Sequence, residues 1–175
     1  MPELFDDSRL AQVLLDISLF DNLDHNQVRS VIEICNQRLT NPGEVLCESK
    51  TIDEQLIVLL DGSLRLESID GKLLDELIPT RVIGEMGVFT GQTRSSRVVA
   101  EGEALILELQ ADDFQDLLED DPQLGHHMLA SLIKMLYTRV HDVNEEMEVL
   151  REQVSRFQDR LQELAPDDPV LRDLI

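Results

Sequence analysis

VIGEMGVFTGQTRSSRVVA, residues 82–100, is the stretch from which the fold can be read. Gly84-Glu85 makes a turn into a short apolar run of Met86, Val88 and Phe89. Gly91, Gln92 and Thr93 break that run, and Arg94-Ser95-Ser96 leads into the strand-like Val98-Val99-Ala100. The order reads as a tight turn, one or two turns of helix, and a loop returning to a sheet. A helix opened by glycine leaves N–H groups free at its start, and such ends attract anions. Arg94 adds a fork of donors that suits a phosphate better than a lysine would. Glu85 beside an anion would be repulsive unless it accepted hydrogen bonds from ligand hydroxyls.

Outward from this stretch, residues 39–109 carry short apolar segments separated by turn signals. Asn41-Pro42-Gly43-Glu44 precedes Val45-Leu46-Cys47, and the apolar run 56–60 stops at Asp61-Gly62, a hairpin signal. Residues 63–67 alternate, Asp70-Gly71 turns, and residues 72–78, 97–100 and 104–109 complete the set, as expected for a jelly-roll sandwich or barrel. Before it, residues 8–39 read as helical, with Ser8 capping Leu10, Val13, Leu14 and Ile17, and Asp24 capping Val28, Val31, Ile32 and Cys35. After it, residues 111–118 form a short helix, and Asp121-Pro122 starts a long one.

That pattern resembles the cyclic-nucleotide-binding domain, whose phosphate-binding cassette runs Gly-Glu-apolar, a spacer, then Arg-Ser/Thr/Ala-Ala. Gly84, Glu85, Arg94 and Ser95 match it, and Ser96 stands where alanine is usual. The resemblance extends over about residues 18–140 and includes PGEVLCESKTIDEQLIVLLDGSLRL, although the glycine usual in its early loop is replaced within Glu48-Ser49-Lys50. It implies that Glu85 accepts the ribose 2′-OH, Gly84 permits close backbone approach, and Arg94 pairs with the cyclic phosphate beside Ser95. Met86, Gly87 and Ser96 complete the implied ligand set. In related bacterial regulators of the cAMP receptor protein kind, polar side chains of the long helix reach the base. The nearest positions here are Thr138 and Arg139, next to Val140. Cyclic AMP is favoured on family frequency, with cyclic GMP open.

The long helix has its own signature. Ile133, Val140, Met147, Val154 and Leu161 fall at one heptad position, a, and Leu129, Leu136, Val143, Leu150, Phe157 and Leu164 at another, d. Branched residues at a with leucine at d favour a parallel two-stranded coiled coil, in which Glu146 at g faces Arg151 at the next e. At 1.5 Å per residue the seam runs roughly 50 Å, more than one domain needs. The expected organisation is a mainly β nucleotide-binding domain with N-terminal helices over 1–120, a dimerisation helix over 121–165 and a tail over 166–175. The DNA-binding helix-turn-helix domain of the related regulators is not expected.

Composition narrows the function. With a net charge of −21, 3% aromatics, no Trp and no basic patch, no nucleic-acid partner is expected. Between Arg81 and Lys134 the basic residues are Arg94 and Arg97, and Arg97 reads as facing solvent. Cys35 and Cys47 lack metal spacing and read as reduced cytosolic thiols. No signal peptide and no run of about 20 apolar residues is present, so a cytoplasmic protein without membrane attachment is expected. His25, His126, His127 and His141 fall on helices, which disfavours a metal-dependent cupin-type enzyme or a haem sensor. Two readings stay open: a homodimeric nucleotide sensor signalling to a protein effector, and a structural docking module with a degenerate site.

Overall fold

Aspartates open both leading helices. In the computed structural model, which describes residues 4–52 and 55–164, α1 (Asp7–Leu15) begins where Asp6 Oδ1 accepts the Arg9 amide at 2.8 Å. The cap therefore lies two residues before Ser8, where a carboxylate meets the positive end of the helix. Asp24 caps α2 (His25–Glu33) as expected, accepting from the amides of Asn26 and Gln27 at 2.8 and 2.9 Å. Gln27 Oε1 returns the contact to the Asp24 amide at 3.2 Å, and Gln27 Nε2 donates to Asp121 Oδ2, also at 3.2 Å. Leu10, Leu14, Val28 and Val31 are buried, with Leu19 and Phe20 on a 3-10 turn between the helices.

The helical reading of 8–39 fails at its C-terminal end. Cys35–Leu39 is strand β1, antiparallel to β8 (Leu105–Gln110), with Cys35 opposite Leu109 and Leu39 opposite Leu105. A partner so remote in sequence overrides the local helical period. Cys35 therefore lies on β1 rather than on the inner face of α2, and burial pushes its thiol up to about 12.

The remaining strands are β2 (Val45–Cys47), β3 (Gln55–Asp61), β4 (Leu64–Glu67), β5 (Leu73–Leu77), β6 (Val82–Ile83) and β7 (Arg97–Ala100). They form two four-stranded antiparallel sheets, β1-β8-β3-β6 and β2-β7-β4-β5. The apolar runs of β3 and β8 are buried throughout because both strands are central in their sheet. One apolar cluster draws on both sheets: Ile57, Leu59 and Ile106 from the first, and Leu64, Val98 and Ala100 from the second. Each buried branched side chain there contributes about 1.5–3 kcal/mol. On β1, Arg38 Nε donates to Glu108 at 2.8 Å and Nη1 to Glu44 at 2.7 Å. The Asn41 amide, opposed by burial and joined by Arg38, holds the Glu44 carboxyl below its ordinary range.

Three further helices follow: α3 (Glu85–Thr90), α4 (Ala111–Asp120) and α5 (Pro122–Leu164). Asp121 Oδ1 accepts the amides of Gln123 and Leu124 at 3.0 and 3.1 Å, and Pro122 takes the first helical position. The Leu124 amide, then Gln27, hold the Asp121 carboxyl below its usual value. Leu124, Met128, Ser131 and Leu132 are buried, and the first compact unit runs to Leu132. The second unit starts at Ile133, and its described part is the rest of α5, where Ile133, Val140, Val143, Met147, Leu150, Val154, Phe157, Leu161 and Leu164 are all exposed. Residues 166–175, the expected tail, lie outside the described residues.

Candidate functional site

Gly84 ends β6 and opens α3 with φ +92° and ψ 5°, a left-handed conformation that L side chains resist. The helix is six residues long and closes at Gly91, whose amide reaches Gly87 O at 2.8 Å. Phe89 sets its outer end by an edge-on contact with Phe114 of α4, centroids 5.5 Å apart. The loop then returns to Arg94, whose backbone is held on both sides: its amide donates to Thr51 O at 2.9 Å, and its carbonyl accepts from the Lys50 amide at 2.8 Å.

With its backbone so fixed, the Arg94 side chain turns inward and keeps only 7% of its exposure. Nη2 donates to the carbonyl of Gln55 at the start of β3. The guanidinium occupies the space beside Gly84: a Cβ there would stand 1.8 Å from Nη1 and 2.5 Å from Gln55 O. Glu85, the next residue, is 4% exposed. One glycine is thus neighboured by a buried acid in sequence and a buried guanidinium in space, and burying either charge is expensive unless it is answered by hydrogen bonds.

Of the other residues singled out from sequence, Gly87 is buried, Met86 and Ser96 are half-buried and Ser95 is exposed. The hydroxyls of Ser95 and Ser96 are 3.4 Å apart. Thr138 and Arg139 are exposed residues of the second unit, and Thr138 Oγ1 donates to Lys134 O at 3.1 Å. Arg97 does not simply face solvent. Its Nη1 donates to Glu67 Oε2 at 3.1 Å, and its Nε lies 3.4 Å from Glu48 Oε2. Sequence reasoning also missed Gln55, which acts through its backbone and leaves no side-chain signal. Among the described residues no group of three or more His, Cys, Asp or Glu could hold a metal ion, and no helix is long and apolar enough to cross a membrane.

Residues 37–121 match the family model of the cyclic nucleotide-binding domain. The fold is that of a cyclic nucleotide-binding domain. A cyclic nucleotide-binding domain from Methylobacillus flagellatus superposes with a TM-score of 0.69 at 21% identity, over 80% of this chain and 81% of that one. The regulatory domain of Toxoplasma gondii PKA, solved with cAMP, gives 0.60 at 22% identity, over 67% of this chain and 47% of that one. In sequence, a cyclic nucleotide-gated potassium channel of Rhizobium etli is 26% identical over 114 residues, 65% of this chain. The chain spans 32% of that channel's length.

Proposed function

We propose that the chain is a cyclic-nucleotide-binding regulatory protein whose output is a protein–protein interaction. The observation that carries this reading is that Glu85 and Arg94 are both buried, with the Arg94 guanidinium against Gly84, the residue that precedes Glu85. Arg94 binds the cyclic phosphate together with the backbone N–H of Ser95, and Glu85 accepts the ribose 2′-OH. Gly84 admits the ligand to the backbone, and Met86, Gly87 and Ser96 line its approach. The base is adenine in preference to guanine. The protein has no catalytic role and binds neither metal nor nucleic acid. It works in the cytoplasm as a homodimer joined through the heptad seam of α5, and its effector is another protein.

Titration calorimetry of the full chain with cyclic AMP and cyclic GMP tests this directly. Loss of one charge-assisted contact in Arg94→Ala weakens binding by about 10- to 100-fold. Unchanged affinity in that variant rejects the site. One observation favours the second reading, a docking module without ligand: Arg94 already donates to the Gln55 carbonyl. Thermal shift separates the two, because a ligand that binds only the folded state raises its apparent stability.

A further inference from the structure

Arg97 lies three residues beyond Arg94, at the start of β7, in register with Glu67 on β4. Its two carboxylate partners come from different places. Glu67 belongs to the sheet, its side chain is 11% exposed, and its other oxygen lies 3.5 Å from Arg65 Nη2. Glu48 belongs to the loop after β2 and is 57% exposed. That loop is not relaxed: Lys50 holds φ +62°, a conformation rare for a residue with a side chain. Thr51 Oγ1 ties back to Glu48 O at 2.7 Å. Lys50 and Thr51 are the two residues whose backbones clamp the Arg94 peptide.

We infer that Arg97 is a positioning residue for Arg94, acting through Glu48 to pin loop 48–51 to the sheet so that Lys50 and Thr51 hold the Arg94 backbone in place. The inference builds on the nucleotide site proposed above. The guanidinium bridges one buried carboxylate of the sheet and one exposed carboxylate of the loop, which is the geometry of a staple. Glu48 is the informative position because its two possible effects have opposite signs. Removing a negative charge near an anionic ligand strengthens binding on electrostatic grounds alone. Releasing the loop weakens it.

The test uses the full chain and compares Glu48→Gln, Arg97→Ala, Arg97→Lys and the Glu48→Gln/Arg97→Ala pair. Cyclic AMP affinity is measured by calorimetry, and amide exchange at Lys50 and Arg94 by NMR. Glu48→Gln is expected to weaken binding about threefold, in line with a partly exposed ion pair. Arg97→Ala weakens it at least as much, and the double variant is no worse than Arg97→Ala, since both act on one link. Arg97→Lys keeps the charge but reaches one carboxylate and not both, so it behaves like Arg97→Ala in amide exchange at Lys50 and Arg94. Exchange at both amides accelerates in Glu48→Gln and Arg97→Ala. Tighter or unchanged binding in Glu48→Gln, or unaltered exchange at the two amides, overturns the inference. If the wild-type chain binds neither cyclic nucleotide, the functional proposal fails, and the exchange data alone decide whether Arg97 pins the loop. Glu48 is on the surface, so its variant keeps the test open even if Arg97→Ala does not fold.

Discussion

Gly84→Ala sets a side chain where the Arg94 guanidinium already stands. At φ +92° an alanine bears the left-handed penalty, about 1–2 kcal/mol. Its Cβ would also stand 1.8 Å from Arg94 Nη1 and 2.6 Å from Arg94 Cζ, so the guanidinium must leave. It cannot be accommodated by a shift of the other neighbour, because Gln55 O at 2.5 Å is backbone inside the first sheet. Leaving means giving up the bond to that carbonyl, a charge-assisted contact of about 1.5–3 kcal/mol. The two together predict a loss of about 3–5 kcal/mol in urea unfolding. Gly91→Ala is the control: its φ is +66°, but a Cβ there meets nothing within 4 Å, so only the backbone penalty of about 1–2 kcal/mol applies. Equal losses in the two variants would refute the claim that Gly84 is reserved for the guanidinium. A Gly84→Ala protein with wild-type nucleotide affinity would refute the site as well.

Asp24→Ala removes the capping box of α2 and should cost about 1 kcal/mol in the same urea assay. For the proposed dimer, Val143→Asp or Leu150→Asp, each placing a charge on the exposed apolar heptad positions of α5, should shift sedimentation equilibrium to the monomer while leaving the thermal transition of the β domain in place. Glu44 and Asp121 titrate below their ordinary values of 4.5 and 3.8. Their stabilisation is therefore complete above those pH values and is lost as pH falls through the lower folded values, and Glu44→Gln should flatten part of the acid limb of a stability–pH curve. Cys35 runs the other way: with its thiol raised from 9.0 to about 12, folding loses stability as pH climbs from 9 toward 12, and alkylation of the native protein at pH 8 should be far slower than in urea.

What could be read from the sequence was local. The Asp24 cap and the helix between Gly84 and Gly91 each depend on residues a few positions apart, and the structure has them where the sequence put them. Asp61-Gly62 does turn the chain, but it carries β3 of the first sheet over to β4 of the second and is not the hairpin expected, because each strand pairs with more remote partners. What escaped depends on partners far along the chain. Cys35–Leu39 looks like the end of a helix until β8 is beside it. Arg97 looks solvated until the strand register sets it opposite Glu67 and the loop brings Glu48 to it. Gln55 contributes a carbonyl, which every residue has, so its identity says nothing. The burial of the first turns of α5 was equally hidden, because Leu124, Met128 and Leu132 fit the periodicity of any amphipathic helix.

Gln27 shows how such remote partners restrict what can be exchanged. By the rules of a single helix start, glutamine and glutamate serve a capping box equally well. Here the amide is read at both ends: its oxygen accepts from the Asp24 amide, and its nitrogen donates to Asp121, 94 positions later. Glutamate would keep the first contact and set two carboxylates against each other in the second, at a side chain with little solvent around it. A substitution that looks neutral in α2 would thus strike at the opening of α5, so two helices distant in sequence share one spelling constraint.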